Sequence, residues 1–127
     1  MRALEHGVAG RRLLVVEEDR HNIDALRDAF GGLGYECEVA LDLETAQTIL
    51  GERRMALAVV NAQVPGVTDE TLITELKRIA PDIRIVLYNG TSKKTRQRRL
   101  RRLGADSYLS TGDDMSTVVR SVQRVLG

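Results

Sequence analysis

The chain has 127 residues, 43% apolar and 29% charged, with one cysteine and a formal net charge of +1. That is one domain's length, enough to bury a core without a metal or a disulfide. No apolar run approaches the length of a membrane span or a signal-peptide core, and the lone Cys37 has no internal partner, so a cytoplasmic protein is expected.

Residues 1–10 have no periodicity and read as a flexible N-terminal tail, leaving 11–127 as the folded domain. Arg12 to Val16 is a short β-branched run closed by Glu17-Glu18-Asp19. From Arg20 to Leu33 the apolar residues fall at helical spacing, with Asp19 as the N-cap and Gly31, Gly32 and Gly34 as terminators. Tyr35 to Leu41 reads as a strand, and Asp42 caps a helix whose inner face is Leu43, Ala46, Ile49 and Leu50, stopping at Gly51. Met55 to Val60 is an uninterrupted apolar run that ends on Asn61, with a Pro65-Gly66 turn beyond it. Such a run is the pattern of a strand buried on both faces. Thr68 caps a helix with Leu72, Ile73, Leu76 and Ile79 inward, ended by Pro81. Arg84 to Tyr88 is a fourth strand closed by Asn89-Gly90, and Ser92 to Leu103 a fourth helix. Ser107 to Ser110 is a fifth strand, and Asp113 or Asp114 caps a last helix from Met115 to Leu126.

Strict alternation of five strands and five helices implies a parallel sheet with right-handed crossovers and helices on both faces. The expected architecture is a flavodoxin-like (βα)5 three-layer sandwich with strand order 2-1-3-4-5. In that order the carboxyl edge collects Glu17, Glu18, Asn61, Asn89 and Thr111. Dinucleotide and flavin binding are not expected there, because Glu17, Glu18 and Asp19 follow the first strand where phosphate requires glycines or hydroxyls and open amides, and they repel phosphate unless a cation intervenes. Glu17, Glu18 and Asp19 read either as a solvated loop and helix cap or as a weak Mg²⁺ site.

The segments Leu13-Leu-Val-Val-Glu17-Glu18-Asp19, Gly34-Tyr35, Val59-Val60-Asn61 leading to Val64-Pro65-Gly66, Ile85-Val-Leu-Tyr-Asn89-Gly90 and Gly104-Ala-Asp-Ser-Tyr108 stand in fixed order and spacing. Together they resemble the receiver domain of bacterial two-component response regulators, from Arg12 to Leu126. The resemblance implies an acidic pair that holds Mg²⁺ at Glu17 and Glu18 and a phosphoacceptor position at Asn61. It also implies a hydroxyl position at Asn89, a lysine position at Thr111 (followed by Gly112 where the family has proline) and a switch aromatic at Tyr108. The family's acceptor is an aspartate, its hydroxyl a serine or threonine, and its acidic pair usually aspartates. A neutral amide is a poor nucleophile and metal ligand, and Thr111 supplies no cation for a phosphoryl group.

The expected function is therefore a pseudo-receiver in phosphorelay signal transduction: not an enzyme, not phosphorylated at the usual position, and acting by protein binding or dimerisation. The alternative is a working phosphoacceptor receiver that uses another residue, such as Asp19 or Ser110. Asn61 itself reads as a structural clasp, able to hydrogen-bond its neighbours without the repulsion an aspartate would meet beside Glu17 and Glu18.

A second feature is a charge asymmetry. Seven of the 19 Lys and Arg residues (Lys93, Lys94, Arg96, Arg98, Arg99, Arg101, Arg102) lie between Ser92 and Arg102, a stretch with no acid, while the rest of the chain is acidic. The segment reads as a solvated arginine-rich face, as a surface for an acidic protein partner, or as a site for the phosphates of a nucleic acid or nucleotide. In receivers the face of helix 4, strand 5 and helix 5 commonly carries partner contacts or self-association. The ending at Gly127 suits a parent protein that continues into an output domain.

Overall fold

The computed structural model describes residues 11–127, so the expected tail lies outside the described residues. Five strands, β1 (Arg12–Val16), β2 (Glu36–Ala40), β3 (Leu57–Asn61), β4 (Arg84–Gly90) and β5 (Ser107–Ser110), alternate with five helices. These are α1 (Arg20–Gly32), α2 (Leu43–Glu52), α3 (Asp69–Ile79), α4 (Lys94–Leu103) and α5 (Met115–Leu126). All strand pairs are parallel and the order is β2-β1-β3-β4-β5, as the alternation requires.

Period-2 alternation splits the sheet's side chains between two layers. Leu14, Val16, Ala58, Val60, Ile85 and Leu87 face α2, α3 and α4, where they meet Leu50, Leu72, Leu76 and Leu100. Leu13, Val15, Leu57, Val59, Val86 and Tyr88 face α1 and α5, where they meet Leu26, Phe30, Val118 and Val122. Every residue of β3 is buried, the consequence of a central strand covered on both sides.

Four helices start on side-chain caps. Asp19 accepts from the amides of His21 and Asn22, Asp42 from Thr45, Thr68 from Thr71 and Asp114 from Thr117, each satisfying an amide that the first helical turn leaves without a partner. Asp114 rather than Asp113 is the last cap, and hydrogen bonds from Ser116 and Thr117 pull its carboxyl down to about 2. Helix α4 starts on Lys93, which makes no side-chain cap bond.

Several boundaries differ from the sequence expectation. Helix α1 runs through Gly31 and Gly32 and is turned back at Gly34, whose φ of 88° a glycine adopts without strain. Gly51 lies within α2, α4 begins at Lys94, and β3 takes in Asn61. Asn89 and Gly90 do not close a turn. They extend β4, which shifts register against β5 between Leu87 and Gly90. Asn89 carries the shift with φ 61°, a left-handed conformation that Asn tolerates better than most residues. Cys37 on β2 is half-buried, and burial pushes its thiol up to about 11, so it stays protonated at neutral pH.

Candidate functional site

Parallel strands deliver their last residues to one edge, and here those residues form a single chain of hydrogen bonds. Asn61 Nδ2 donates to both oxygens of Glu17, at 3.0 and 3.1 Å. Asn61 Oδ1 accepts from the Gln63 amide at 2.8 Å and from Asn89 Nδ2 at 3.2 Å. Asn89 Oδ1 in turn accepts from the Thr111 hydroxyl at 3.2 Å. The orientation of the Asn61 amide is dictated from both sides, since a carboxylate can only accept and a backbone N–H can only donate. The ends of β1, β3 and β4 and the residue after β5 are thus linked side chain to side chain. A further bond runs from Gln63 Nε2 to the Asn89 carbonyl at 3.0 Å.

The acidic pair is not a pair in space. Glu17 is fully buried, whereas Glu18 is exposed. Besides Asn61, the Glu17 carboxylate accepts from the backbone amides of Glu18 (2.8 Å) and Asp19 (3.0 Å), from Asn22 Nδ2 (3.1 Å) and from the Tyr88 hydroxyl. Five donor groups therefore surround one buried anion, which is how a protein retains a charge away from water. Burial, followed by the bond to Glu17, pushes the Tyr88 phenol well above its ordinary range. The Mg²⁺ site expected at Glu17 and Glu18 does not fit this arrangement. The lone pairs of Glu17 and of Asn61 Oδ1 are committed to N–H and O–H donors, and Mg²⁺ requires several oxygens free to face it. Among the described residues no group of three His, Cys, Asp or Glu side chains is placed to hold a metal ion.

Tyr88, Asn22 and Gln63 are the members of this cluster that sequence reasoning missed. Tyr88 carried the clearest signal: a tyrosine near the end of a buried strand has a hydroxyl that needs a partner. Asn22 and Gln63 lie in a helix and a loop, and only the fold brings them to Glu17 and Asn61. The Asp19 side chain caps α1, and the Ser110 hydroxyl accepts from Gln97 Nε2 at 3.4 Å, so neither alternative acceptor brings its side-chain oxygen into the Glu17–Asn61 cluster.

Tyr108 is buried with its ring laid over Gly90, and its hydroxyl accepts from the Thr91 amide at 2.9 Å. A Cβ at residue 90 would collide with the Tyr108 hydroxyl and Cζ, and would lie 2.7 Å from Cε1. Gly90→Ala therefore expels the ring toward solvent at a cost of about 2 kcal/mol. Because burial raises the phenol of Tyr108, expulsion also returns its titration toward the ordinary tyrosine value. Thermal unfolding and an ultraviolet pH titration measure the two effects.

The cationic segment separates into two sets. Arg96 bridges Asp69 (2.5 Å) and Glu70 (2.6 Å), and Arg99 reaches Glu70 (2.8 Å), tying α4 to the first turn of α3. Those two arginines are ion-paired within the fold, so the seven cations are not equivalent. Lys93, Lys94, Arg98, Arg101 and Arg102 are exposed and meet no carboxylate among the described residues.

Comparison with known proteins agrees with this fold. The family model for the response regulator receiver domain matches residues 13–123. The phosphate regulon transcriptional regulatory protein PhoB of Pseudomonas aeruginosa is 23% identical over 121 residues, covering 94% of this chain. The chain spans about half of that relative's length, 53%. Among solved structures, a CheY-like receiver domain protein from Methanospirillum hungatei superposes with a TM-score of 0.81 at 18% identity, covering 91% of this chain and 93% of the other. The beryllofluoride-activated NtrC4 receiver domain, solved as a dimer, also gives 0.81 at 18% identity over 91% of this chain and 96% of its own. With the strand order and the match over residues 13–123 in agreement, the chain belongs to the response regulator receiver domain family.

Proposed function

We propose that this is a receiver domain of the degenerate, pseudo-receiver kind, which signals by binding and not by phosphoryl transfer at Asn61. One observation carries the reading. The positions that would be acceptor, hydroxyl and lysine are occupied by Asn61, Asn89 and Thr111, which bond to one another and to Glu17. An amide in that chain has neither the charge nor the free lone pair of a carboxylate nucleophile. Thr111 offers a hydroxyl already shared between Asn89 Oδ1 and the Gly90 carbonyl, and no cation to recruit a transferred phosphoryl group. The edge is thereby held in one arrangement, and the domain's output is whatever docks on it in that state. The receiver dimer among its structural neighbours supports self-association as one such output.

The test is intact mass after incubation with a small acyl phosphate and Mg²⁺. The expected spectrum shows the unmodified chain. An adduct of about 80 Da, the mass of one phosphoryl group, that disappears in Asn61→Ala would overturn the proposal.

A further inference from the structure

Helix α4 carries a charge pattern that works against its own stability. Lys93 and Lys94 stand at its N-terminus, where the helix dipole disfavours cations, and no acid occupies the first turn. Lys94 and Arg98, and Arg98 and Arg102, are like-charge neighbours four apart, and Arg98 and Arg101 three apart, spacings at which side chains on a helix repel one another. The carboxylates that do reach α4, Asp69 and Glu70, go to Arg96 and Arg99 and leave these cations unpaired. Asp113 and Asp114, at the start of α5, are turned to the backbone amides of Ser110 and Thr117.

From this surface we infer a site for the phosphate backbone of double-stranded DNA, gripped without base readout by Lys94, Arg98, Arg101 and Arg102. Three features select that ligand. First, the outer face of α4 has no apolar anchor: Leu100 is fully buried, and the two exposed large apolar residues of the described chain, Leu33 and Leu41, lie before and after β2. A stable protein interface is built around a desolvated apolar or aromatic centre, whereas backbone binding requires only cations. Second, single strands are held largely by stacking on aromatic side chains; Tyr88, Tyr108 and Phe30 are buried, and the half-buried Tyr35 precedes β2 with its ring packed edge-on against Phe30 of α1, not on α4. Third, Lys94 to Arg102 spans about 12 Å of helix, so α4 laid across the B-form major groove, about 12 Å wide, sets cations near the phosphates of both walls. The phosphate walls of the narrow major groove of an RNA duplex do not match that span. The inference concerns α4 alone and holds however the sheet edge is read.

Fluorescence anisotropy with a labelled DNA duplex of about 20 base pairs tests it, using the full chain. Four phosphate contacts at about −0.9 each predict a log–log salt slope near −4 and a loss of affinity of roughly 10²-fold between about 50 and 200 mM salt. Arg98→Gln with Arg101→Gln is expected to reduce the slope by about two, while the single change Arg54→Gln, away from α4, leaves it unchanged. Circular dichroism checks that the double variant is folded; relief of repulsion predicts a thermal midpoint equal to or above that of the parent. Absence of binding at the lower salt, equal losses in the α4 and Arg54 variants, or equal affinity for an RNA duplex or for polyglutamate would each overturn the inference.

Discussion

Replacing Asn61 by aspartate, the residue the family uses at this position, is expected to destabilise the protein by about 3–5 kcal/mol at neutral pH. The change removes the Nδ2 donor to Glu17 and puts a second carboxylate about 3 Å from the first, in a pocket where Asn61 is 7% exposed and Glu17 not at all. At about 4 °C per kcal/mol for a domain of this size, the thermal midpoint falls by roughly 12 °C or more. The sign with pH is fixed by linkage. Burial and the neighbouring Glu17 charge raise the pKa of an aspartate at residue 61 in the folded state, so the folded protein binds the proton more tightly than the unfolded chain. The penalty is then small below the unfolded value near 4 and grows as pH rises through the window up to the folded value. Thermal melts of parent and variant at about pH 4.5 and 7 measure this. A penalty that did not shrink at the lower pH would contradict the clasp.

The second large effect is expected at Glu17. Glu17→Ala deprives the Asn22 and Asn61 amides, the Tyr88 hydroxyl and the backbone N–H groups of Glu18 and Asp19 of their common acceptor. Leaving buried donors without a partner costs about 1–3 kcal/mol per group that water cannot reach, so a total near 4 kcal/mol is expected. The adjacent Glu18→Ala, at an exposed position, stays within about 0.5 kcal/mol of the parent. Denaturant unfolding of the two variants side by side reads the contrast. Equal effects would mean that the two glutamates act as the pair implied by the family resemblance. The unequal result expected here means that Glu17 is an internal anion satisfied by the protein.

Much of the edge was legible from local pattern alone. The buried run ending on Asn61 placed a polar side chain at the carboxyl end of a central strand, and the alternation of elements brought Glu17, Asn61, Asn89 and Thr111 to one side. The reading of Asn61 as a clasp needed only the chemistry of an amide beside a carboxylate, and the bonds to Glu17 give it a geometry. The roles of Glu17 and Glu18 were not separable in the same way. Neighbouring residues of the same type leave a strand in different directions, and only the backbone path after β1 decides which turns inward. The Asn89-Gly90 pair reads as a turn because both residues favour one. In the fold the same left-handed φ at Asn89 serves a register shift inside β4, and Gly90 makes room for the Tyr108 ring.

The basic helix divides along the same line. That seven cations fall in one stretch without an acid is a property of composition and order, and so is the helix that carries them. Which of them are spent is a matter of docking. Asp69 and Glu70 lie more than 25 residues away in the chain and meet Arg96 and Arg99 only because α3 and α4 cover the same face of the sheet. Periodicity and residue type thus determined the elements, their order and the inventory of polar groups at the edge. The tertiary structure decided which groups pair, because side-chain pairing depends on distances between segments far apart in sequence, and those exist only once the sheet has formed.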